Sequence, residues 1–285
     1  MNKAVIIILN YNDSDTAIAL SDKIYSYNCL SAVVIVDNCS PDGSYRKMTE
    51  HYSLNEKVDV LCAPSNNGYA SGNNFGIKYA EEKYDPKYIF VANPDIDVSE
   101  DTIDRLIDII EHNREYGVIA PIVNEGYNVW NLPGFLGMIE SLFLVWFNLD
   151  KRRIKNNLLK KDCDVCPVGA VEGSFFLIRR EDYDKISGLD ERTFLYAEEN
   201  ILARRLLSIG KKVGACPKLL YHHYHSVSIK KAYNYSKRKA FPNFYKSFLI
   251  YNKYYLHTTK IQDVIFCVMY KLAYFERFLY DCIKR

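Results

Sequence analysis

The sequence has no apolar run long enough to cross a bilayer. Its opening stretch, Ala4-Val5-Ile6-Ile7-Ile8-Leu9, falls far short of the roughly 20 residues a membrane helix needs. No small-residue cleavage site follows it, so it reads as a buried strand and not as a signal peptide. Neither sign of charge is in excess: 37 Lys and Arg against 35 Asp and Glu leave a formal net charge of +2. A nucleic-acid-binding protein with that balance needs a concentrated basic face, and the first half of the chain offers none. A GxGxxG motif is also missing, because the glycines at 68, 72 and 76 have a different spacing, and this disfavours a dehydrogenase-type dinucleotide site. The eight cysteines are scattered. Cys163-Asp164-Val165-Cys166 has zinc-like spacing, but no second pair at ligand distance completes four ligands, so structural zinc is not expected. Cys62 follows Val60-Leu61, a setting where a thiol behaves as a small core side chain. Reduced thiols and a cytosolic location are the expectation.

What is present is a chain of 285 residues, 48% hydrophobic and 25% charged, enough for one large domain or one with a small appendage. Short β-branched runs recur at Val5 to Leu9, Ala32 to Val36, Val58 to Leu61 and Tyr88 to Val91. Such runs suit strands covered on both faces. Helical segments fit between them, at Thr16 to Tyr25 and Gly72 to Lys83, and the alternation predicts an α/β fold with a mainly parallel sheet. Ser99 is an N-cap candidate with Glu100 and Asp101 in the first turn, opening a helix expected to end near Gly117. The acidic motif Asn93-Pro94-Asp95-Ile96-Asp97 then lies at the carboxyl end of a strand, where open α/β sheets place their ligands.

Two later segments change character. From Asn128 to Lys161 an apolar stretch interrupted by Glu140 is followed by Lys151-Arg152-Arg153; a membrane-surface element and a core helix with a basic end both fit. From Lys230 the chain is rich in Tyr and Lys, and Ile265, Phe266, Met269, Leu272, Phe275 and Leu279 recur at helical spacing. Asp263 and Lys271 forbid a span there. An amphipathic tail, packed on the core or laid on a membrane surface, is what remains.

Several groupings carry chemistry. On an extended chain Asp95 and Asp97 point to the same side and can share a divalent ion. Asp37-Asn38, at the end of the second strand, can accept hydrogen bonds from a base or ribose. Asn66-Asn67-Gly68-Tyr69-Ala70-Ser71-Gly72-Asn73-Asn74 leads into a helix and offers amides to a polar or anionic ligand. Glu198 and Glu199 open a helix whose dipole favours an ionised carboxylate, and since neighbours project about 100° apart, only one faces a cleft. Of His222-His223-Tyr224-His225, His223 and His225 share one face of a strand and suit manganese or a phosphate.

Taken in order, these motifs resemble glycosyltransferase family 2 with a GT-A fold, in particular its rhamnosyltransferase-like branch of bacterial polysaccharide synthesis. The resemblance covers about residues 3 to 228 and rests on Val5 to Asn12, Val34 to Ser40, Asn67 to Gly76, Asn93 to Asp97, Val171 to Arg180 and Gly188 to Glu199. It implies a catalytic domain over 1–228, with a donor half (1–125) and an acceptor half (126–228), and a helical extension over 229–285. It further implies inverting transfer from a UDP- or dTDP-linked sugar to a glycan or lipid-linked glycan, with Mn2+ or Mg2+ as cofactor, a peripheral membrane contact at the inner face of the cell membrane, and no nucleic acid. Glu199 would be the base, with Glu198 beside it. Leu9, Asn10, Tyr11, Asp37, Asn38, Asn67, Gly68, Asn73 and Asp95 would hold the nucleotide sugar, and Glu172 and Gly173 would lie on the acceptor side. Asp95, Asp97 and His223 would hold the metal. The chain departs from the family's Glu-Asp pair with Glu198-Glu199, and a second acid usual two residues on is replaced by Ile201. That departure motivates an alternative, a GT-A-shaped binding or scaffold protein of an assembly complex.

Overall fold

In the computed structural model, residues 4–144, 154–224 and 237–283 are described. The apolar runs form strands as expected: β1 (Ala4–Asn10), β2 (Ala32–Asp37), β3 (Val58–Cys62) and β4 (Tyr88–Ala92). They lie parallel in the order β3-β2-β1-β4. Helices α1 (Ser14–Ile24), α2 (Ser44–His51) and α3 (Tyr69–Tyr84) connect them. In the register Asn10 lies opposite Asp37, so the loops after β1 and β2 emerge side by side.

The second half departs from simple alternation. β5 (Ile96–Asp97) is followed by α4 (Glu100–His112), capped by Ser99, whose hydroxyl accepts from the Thr102 amide at 3.2 Å. This helix stops before Gly117, contrary to the expected end, because Gly117 is already inside β6 (Tyr116–Val123), a run of eight buried residues. Next come β7 (Val129–Trp130), α5 (Phe135–Leu142), β8 (Cys166–Val168), β9 (Ala170–Val171), β10 (Phe175–Arg179), α6 (Arg180–Lys185), α7 (Glu198–Ser208) and β11 (Lys212–His223). β10 inserts antiparallel between β4 and β6, with Phe175 opposite Ala92. β11 runs parallel to β6, and its end pairs with β5, His223 opposite Ile96. The start of β10 and the end of β11 are thereby brought to the carboxyl end of β4.

The sheet is covered on both faces, one by a core including Ile6, Ile8, Leu20 and Leu106, the other by one including Ile7, Val36, Ile77 and Leu206. A third core joins α5 and the first turn of α7 to α8 (Lys237–Tyr251) and α9 (Lys260–Ile283), through Met138, Leu142, Ile201, Phe248, Tyr251 and Phe266. The basic residues 151–153 and the start of the Tyr/Lys-rich segment at Lys230 lie outside the described residues. Cys163 and Cys166 are joined by a disulfide, their Cα atoms 6.1 Å apart. This corrects the expectation that every thiol is reduced: the turn before β8 brings the i, i+3 pair within disulfide reach. The other six cysteines are free.

Candidate active site

The sheet topology gathers three side chains at one point. Asn93 continues β4 and its amide donates to the Ser174 carbonyl at 2.8 Å, which fixes Glu172-Gly173-Ser174 beside the acidic motif. The Tyr224 amide donates to the Asp95 carbonyl at 3.0 Å, which fixes the end of β11 on the other side. His223 then sits between two carboxylates, Nε2 3.3 Å from Asp95 Oδ2 and Nδ1 3.5 Å from Glu172 Oε2. Burial alone lowers the pKa of the imidazole, but hydrogen bonds to Asp95 and Glu172 and their charge override it and raise the value to about 9. Glu172 also accepts from Ser174 Oγ at 3.0 Å, and that hydroxyl meets Tyr221 Oη at 2.8 Å.

Asp97 does not join this group. Asp95 lies in a turn and the strand begins only at Ile96, so the extended alternation expected to align the two carboxylates does not hold. The Asp97 carboxylate is paired with Lys23 of α1 instead. Among the described residues no group of three or more His, Cys, Asp or Glu side chains forms a ready metal cage. The donor chemistry of Asp95, Glu172 and His223 nonetheless suits a divalent ion of the manganese type, once the imidazole has given up the proton it holds between the two carboxylates.

The second acidic group stands at the start of α7. Tyr196 and Ala197 both adopt left-handed backbone conformations, with φ of 74° and 68°, a strained arrangement for two consecutive non-glycine residues. The turn they make presents Glu198 and Glu199 at the helix N-terminus. Glu199 Oε1 accepts from the Gly173 amide at 3.3 Å, which ties the pair to the segment that carries Glu172. Glu198 is 8% exposed; burial, reinforced by the charge of Glu199, pushes its carboxyl well above the usual range. Tyr69 closes the back of this corner, its hydroxyl donating to the Gly173 carbonyl at 2.6 Å. Its placement depends on Gly68 (φ +100°), where a Cβ would come within 2.2 Å of the Phe194 carbonyl oxygen. Ile201, the position without the second acid, is buried in the third core against the C-terminal helices.

Both acidic groups line one cavity of about 890 Å³. Its other walls went unread in the sequence: Tyr127 and Trp130 after β6, Gly137 and Ser141 of α5, and Phe244 and Phe248 of α8. Trp130 is oriented by its indole N–H, which donates to Asn200 Oδ1 at 2.8 Å. Lys155 braces the same wall by donating to the carbonyls of Val123, Asn124 and Gly126. An aromatic within a loop carries no periodic signal, and the contribution of α8 depends on a fold-back that local pattern does not encode.

The remaining expected residues cluster at the ends of β1 and β2, outside that lining. Asn10 Nδ2 donates to Asp37 Oδ1 at 2.8 Å, and Asp37 Oδ2 accepts from the Ser40 amide at 2.8 Å. Asp37 is 0% exposed, and its carboxylate braces the two loops. Asn38 donates to Asn66 Oδ1 and to the Gly68 carbonyl, and a Cβ at Gly72 would strike Leu9 and Asn38. Asn67 donates to Ser65, and Tyr11 is exposed at the rim. Asn73 is 0% exposed and donates to the Tyr69 carbonyl within α3. His222 meets Asn124 and not the acidic group; His225 lies outside the described residues.

The chain is similar to the low-salt glycan biosynthesis hexosyltransferase Agl10 of Haloferax volcanii, 28% identical over 214 residues that make up 74% of this chain and 64% of that protein. It is similar to the rhamnosyltransferase WbbL of Escherichia coli, 29% identical over 168 residues, 55% of this chain and 61% of that protein. The N-acetylglucosaminyl-diphospho-decaprenol L-rhamnosyltransferase of Mycobacterium tuberculosis is 25% identical over 210 residues, 68% of this chain and 67% of that protein. The chain therefore spans a little under two-thirds of the first two relatives. Among solved structures, GalNAc-T7 with UDP, GalNAc and Mn2+ superposes with a TM-score of 0.67 at 14% identity, over 90% of this chain and 49% of that one. The mannosyltransferase PcManGT from Pyrobaculum calidifontis, in complex with GDP-Man and Mn2+, gives 0.59 at 13% identity, over 95% of this chain and 72% of that one. At such identities the likeness concerns the fold, which is GT-A. A model of glycosyl transferase family 2 matches residues 5–187, well over half of the sequence, and the chain belongs to that family.

Proposed function

We propose that the protein is an inverting glycosyltransferase that moves a sugar from a nucleoside-diphosphate sugar, UDP- or dTDP-linked, to a hydroxyl of a glycan or lipid-linked glycan in polysaccharide synthesis. The observation that carries the reading is a single cavity lined both by the Asp95–His223–Glu172 group and by Glu198-Glu199. Asp95 and His223, with Glu172 beside them, are the residues to hold a divalent ion, Mn2+ or Mg2+; bound there, it supplies neutralising charge to the donor diphosphate. The loops braced by Asn10, Asp37, Asn38 and Gly68 form the nucleoside side, with Leu9, Tyr11 and Asn67 at its edge.

Glu199 takes the proton from the acceptor hydroxyl as that oxygen attacks the anomeric carbon. The bond from that carbon to the diphosphate oxygen breaks, and the electron pair leaves with the nucleoside diphosphate. One carboxylate acting on the acceptor, with no enzyme nucleophile, inverts the configuration. Glu198, whose carboxyl is pushed well above the usual range by burial and by the neighbouring Glu199, is placed beside Glu199 on the same cavity wall. The aromatic wall of Tyr127, Trp130, Phe244 and Phe248 suits the apolar face of a sugar ring. Incubation with a panel of nucleotide sugars and manganese tests the reading: acceptor-dependent release of nucleoside diphosphate supports it, and absence of both binding and hydrolysis across UDP- and dTDP-linked sugars refutes it. No observation favours the scaffold alternative, since the loss of the second acid at Ile201 is accounted for by core packing.

A further inference from the structure

Among the described residues, no helix is long and apolar enough to cross a membrane, yet α9 leaves a continuous apolar stripe uncovered. Phe266 and Ala273 turn inward to the third core, and Arg277 is buried with its guanidinium 3.6 Å from the centre of the Phe241 ring. On the opposite side Ile261, Val264, Val268, Leu272, Phe275 and Leu279 are all exposed, the first two at 73% and 63%. Their spacing of three or four residues puts them on one face, and at 1.5 Å per residue the stripe runs about 27 Å along the helix. An uncovered apolar surface of this length on a water-facing helix marks a contact site.

The charges along the helix indicate what the contact is. All three acids of α9 are engaged: Asp263 accepts from Thr258 Oγ1 at 2.6 Å, Glu276, at one edge of the stripe, accepts from the Leu144 amide at 3.1 Å, and Asp281 lies 3.5 Å from Arg238. The charged residues left exposed on the helix are Lys260 and Lys271. Lys271 falls within the stripe, three residues from Val268 and four from Phe275, close to its midpoint. Two copies of α9 packed antiparallel across a two-fold axis would bury Lys271 against its own symmetry mate, an unpaired like-charge contact. At a bilayer surface the same lysine extends its stem along the apolar face and places its ammonium among anionic headgroups.

We propose that the exposed face of α9 is a docking surface for an anionic lipid bilayer, on which the helix lies in the interfacial plane. The position of the cavity follows from this contact. α9 packs on α5 and α8, and those two helices supply Gly137, Ser141, Phe244 and Phe248 to the cavity wall. Docking through α9 therefore brings that wall of the cavity close to the lipid surface. The inference goes beyond the transfer reaction and is tested without it.

The test is co-sedimentation of the full chain, with no nucleotide sugar present, with vesicles of phosphatidylcholine alone and of phosphatidylcholine with phosphatidylglycerol. The wild type is expected to bind the second much more tightly. The V268E/L272E variant, which alters only exposed positions, is expected to keep its circular dichroism and melting temperature while its partition coefficient falls at least about a hundredfold. K271E should lose the preference for phosphatidylglycerol. Failure of the wild type to bind either vesicle, or equal binding by wild type and V268E/L272E, overturns the proposal. So does a concentration-dependent dimer in sedimentation velocity that V268E/L272E abolishes, because a second copy would then cover the stripe. None of these outcomes bears on Glu199, whose role is read in solution with a water-soluble acceptor.

Discussion

Replacing Glu199 with Gln isolates basicity from shape. The glutamine carbonyl can still accept the Gly173 amide that now reaches Glu199 Oε1 at 3.3 Å, so the corner formed by Gly173, Tyr69 and α7 keeps its geometry. What is lost is the capacity to take a proton, worth about 10²- to 10⁴-fold in rate, or about 3–5.5 kcal/mol in activation free energy. Glu198 does not compensate. Removing the charge of Glu199 relieves the lesser of the two influences on Glu198, but burial, the larger, remains, and its carboxyl stays above the usual range. The assay is the initial rate of nucleoside diphosphate release with donor and acceptor present, paired with calorimetry of donor binding. The expectation is a kcat lowered by at least about a hundredfold with donor affinity unchanged. A kcat within about threefold of wild type, with normal donor binding, would refute the assignment of the base and leave the cavity in need of another proton acceptor.

Asp95→Asn and Asp97→Asn separate the two acids of the motif: in manganese, Asp95→Asn should weaken nucleotide binding at least about tenfold. Asp97→Asn, which loses only a half-exposed pair with Lys23, should stay within about twofold, and the reverse ranking by calorimetry would restore the pairing expected from extended geometry. Gly68→Ala adds a Cβ that would lie 2.2 Å from the Phe194 carbonyl oxygen at a φ of +100°, for a loss of at least about 3 kcal/mol. Gly43→Ala, with φ +84° but open space around it, should cost about 1 kcal/mol; equal denaturation midpoints would show that the close approach at Phe194 is not real. Glu198→Gln should raise the melting temperature more at pH 8 than at pH 5. A carboxyl whose folded pKa is raised contributes stability below its unfolded value and loses it as pH rises through the folded one, and the neutral amide escapes that loss. A pH-independent difference would mean that the Glu198 carboxyl is not held protonated in the fold.

The half of the site at the ends of β1 and β2 was legible because it rests on local pattern. Continuous apolar runs define parallel strands, and parallel neighbours in register place Asn10 beside Asp37. Even there, pattern named the residues without their exposure: Asp37 and Asn73 are both fully buried and hydrogen-bonded to neighbours. The other half depends on strand order that no local rule predicts. Glu172 meets Asp95 through His223 because β10 runs antiparallel between β4 and β6 and because β11 ends against β5. Asp95 and Asp97 do not follow a strand's period of two, because Pro94-Asp95 forms a turn and the strand begins at Ile96.

The acid pair is held from both sides, and this accounts for the apolar residue at 201. On the sheet side, the Tyr69 amide donates to the Phe194 carbonyl at 2.9 Å, a contact that only glycine at position 68 allows. On the other side, Ser247 of α8 donates to the Leu195 carbonyl at 2.7 Å, and Arg204 and Arg205 of α7 donate to the hydroxyls of Tyr251 and Tyr255. These bonds flank Tyr196 and Ala197 and keep them in left-handed conformations that an isolated loop would leave. Ile201, one turn into α7, faces the same helices, and an acid there would be buried among Met138, Phe248 and Tyr251 without a partner. The apolar residue at 201 is thus the condition for packing α8 and α9 against α7, and with them come Phe244 and Phe248 to the cavity wall. The C-terminal helices are in this sense part of the candidate site: they hold the turn that presents Glu199, and they supply Phe244 and Phe248 to the cavity wall.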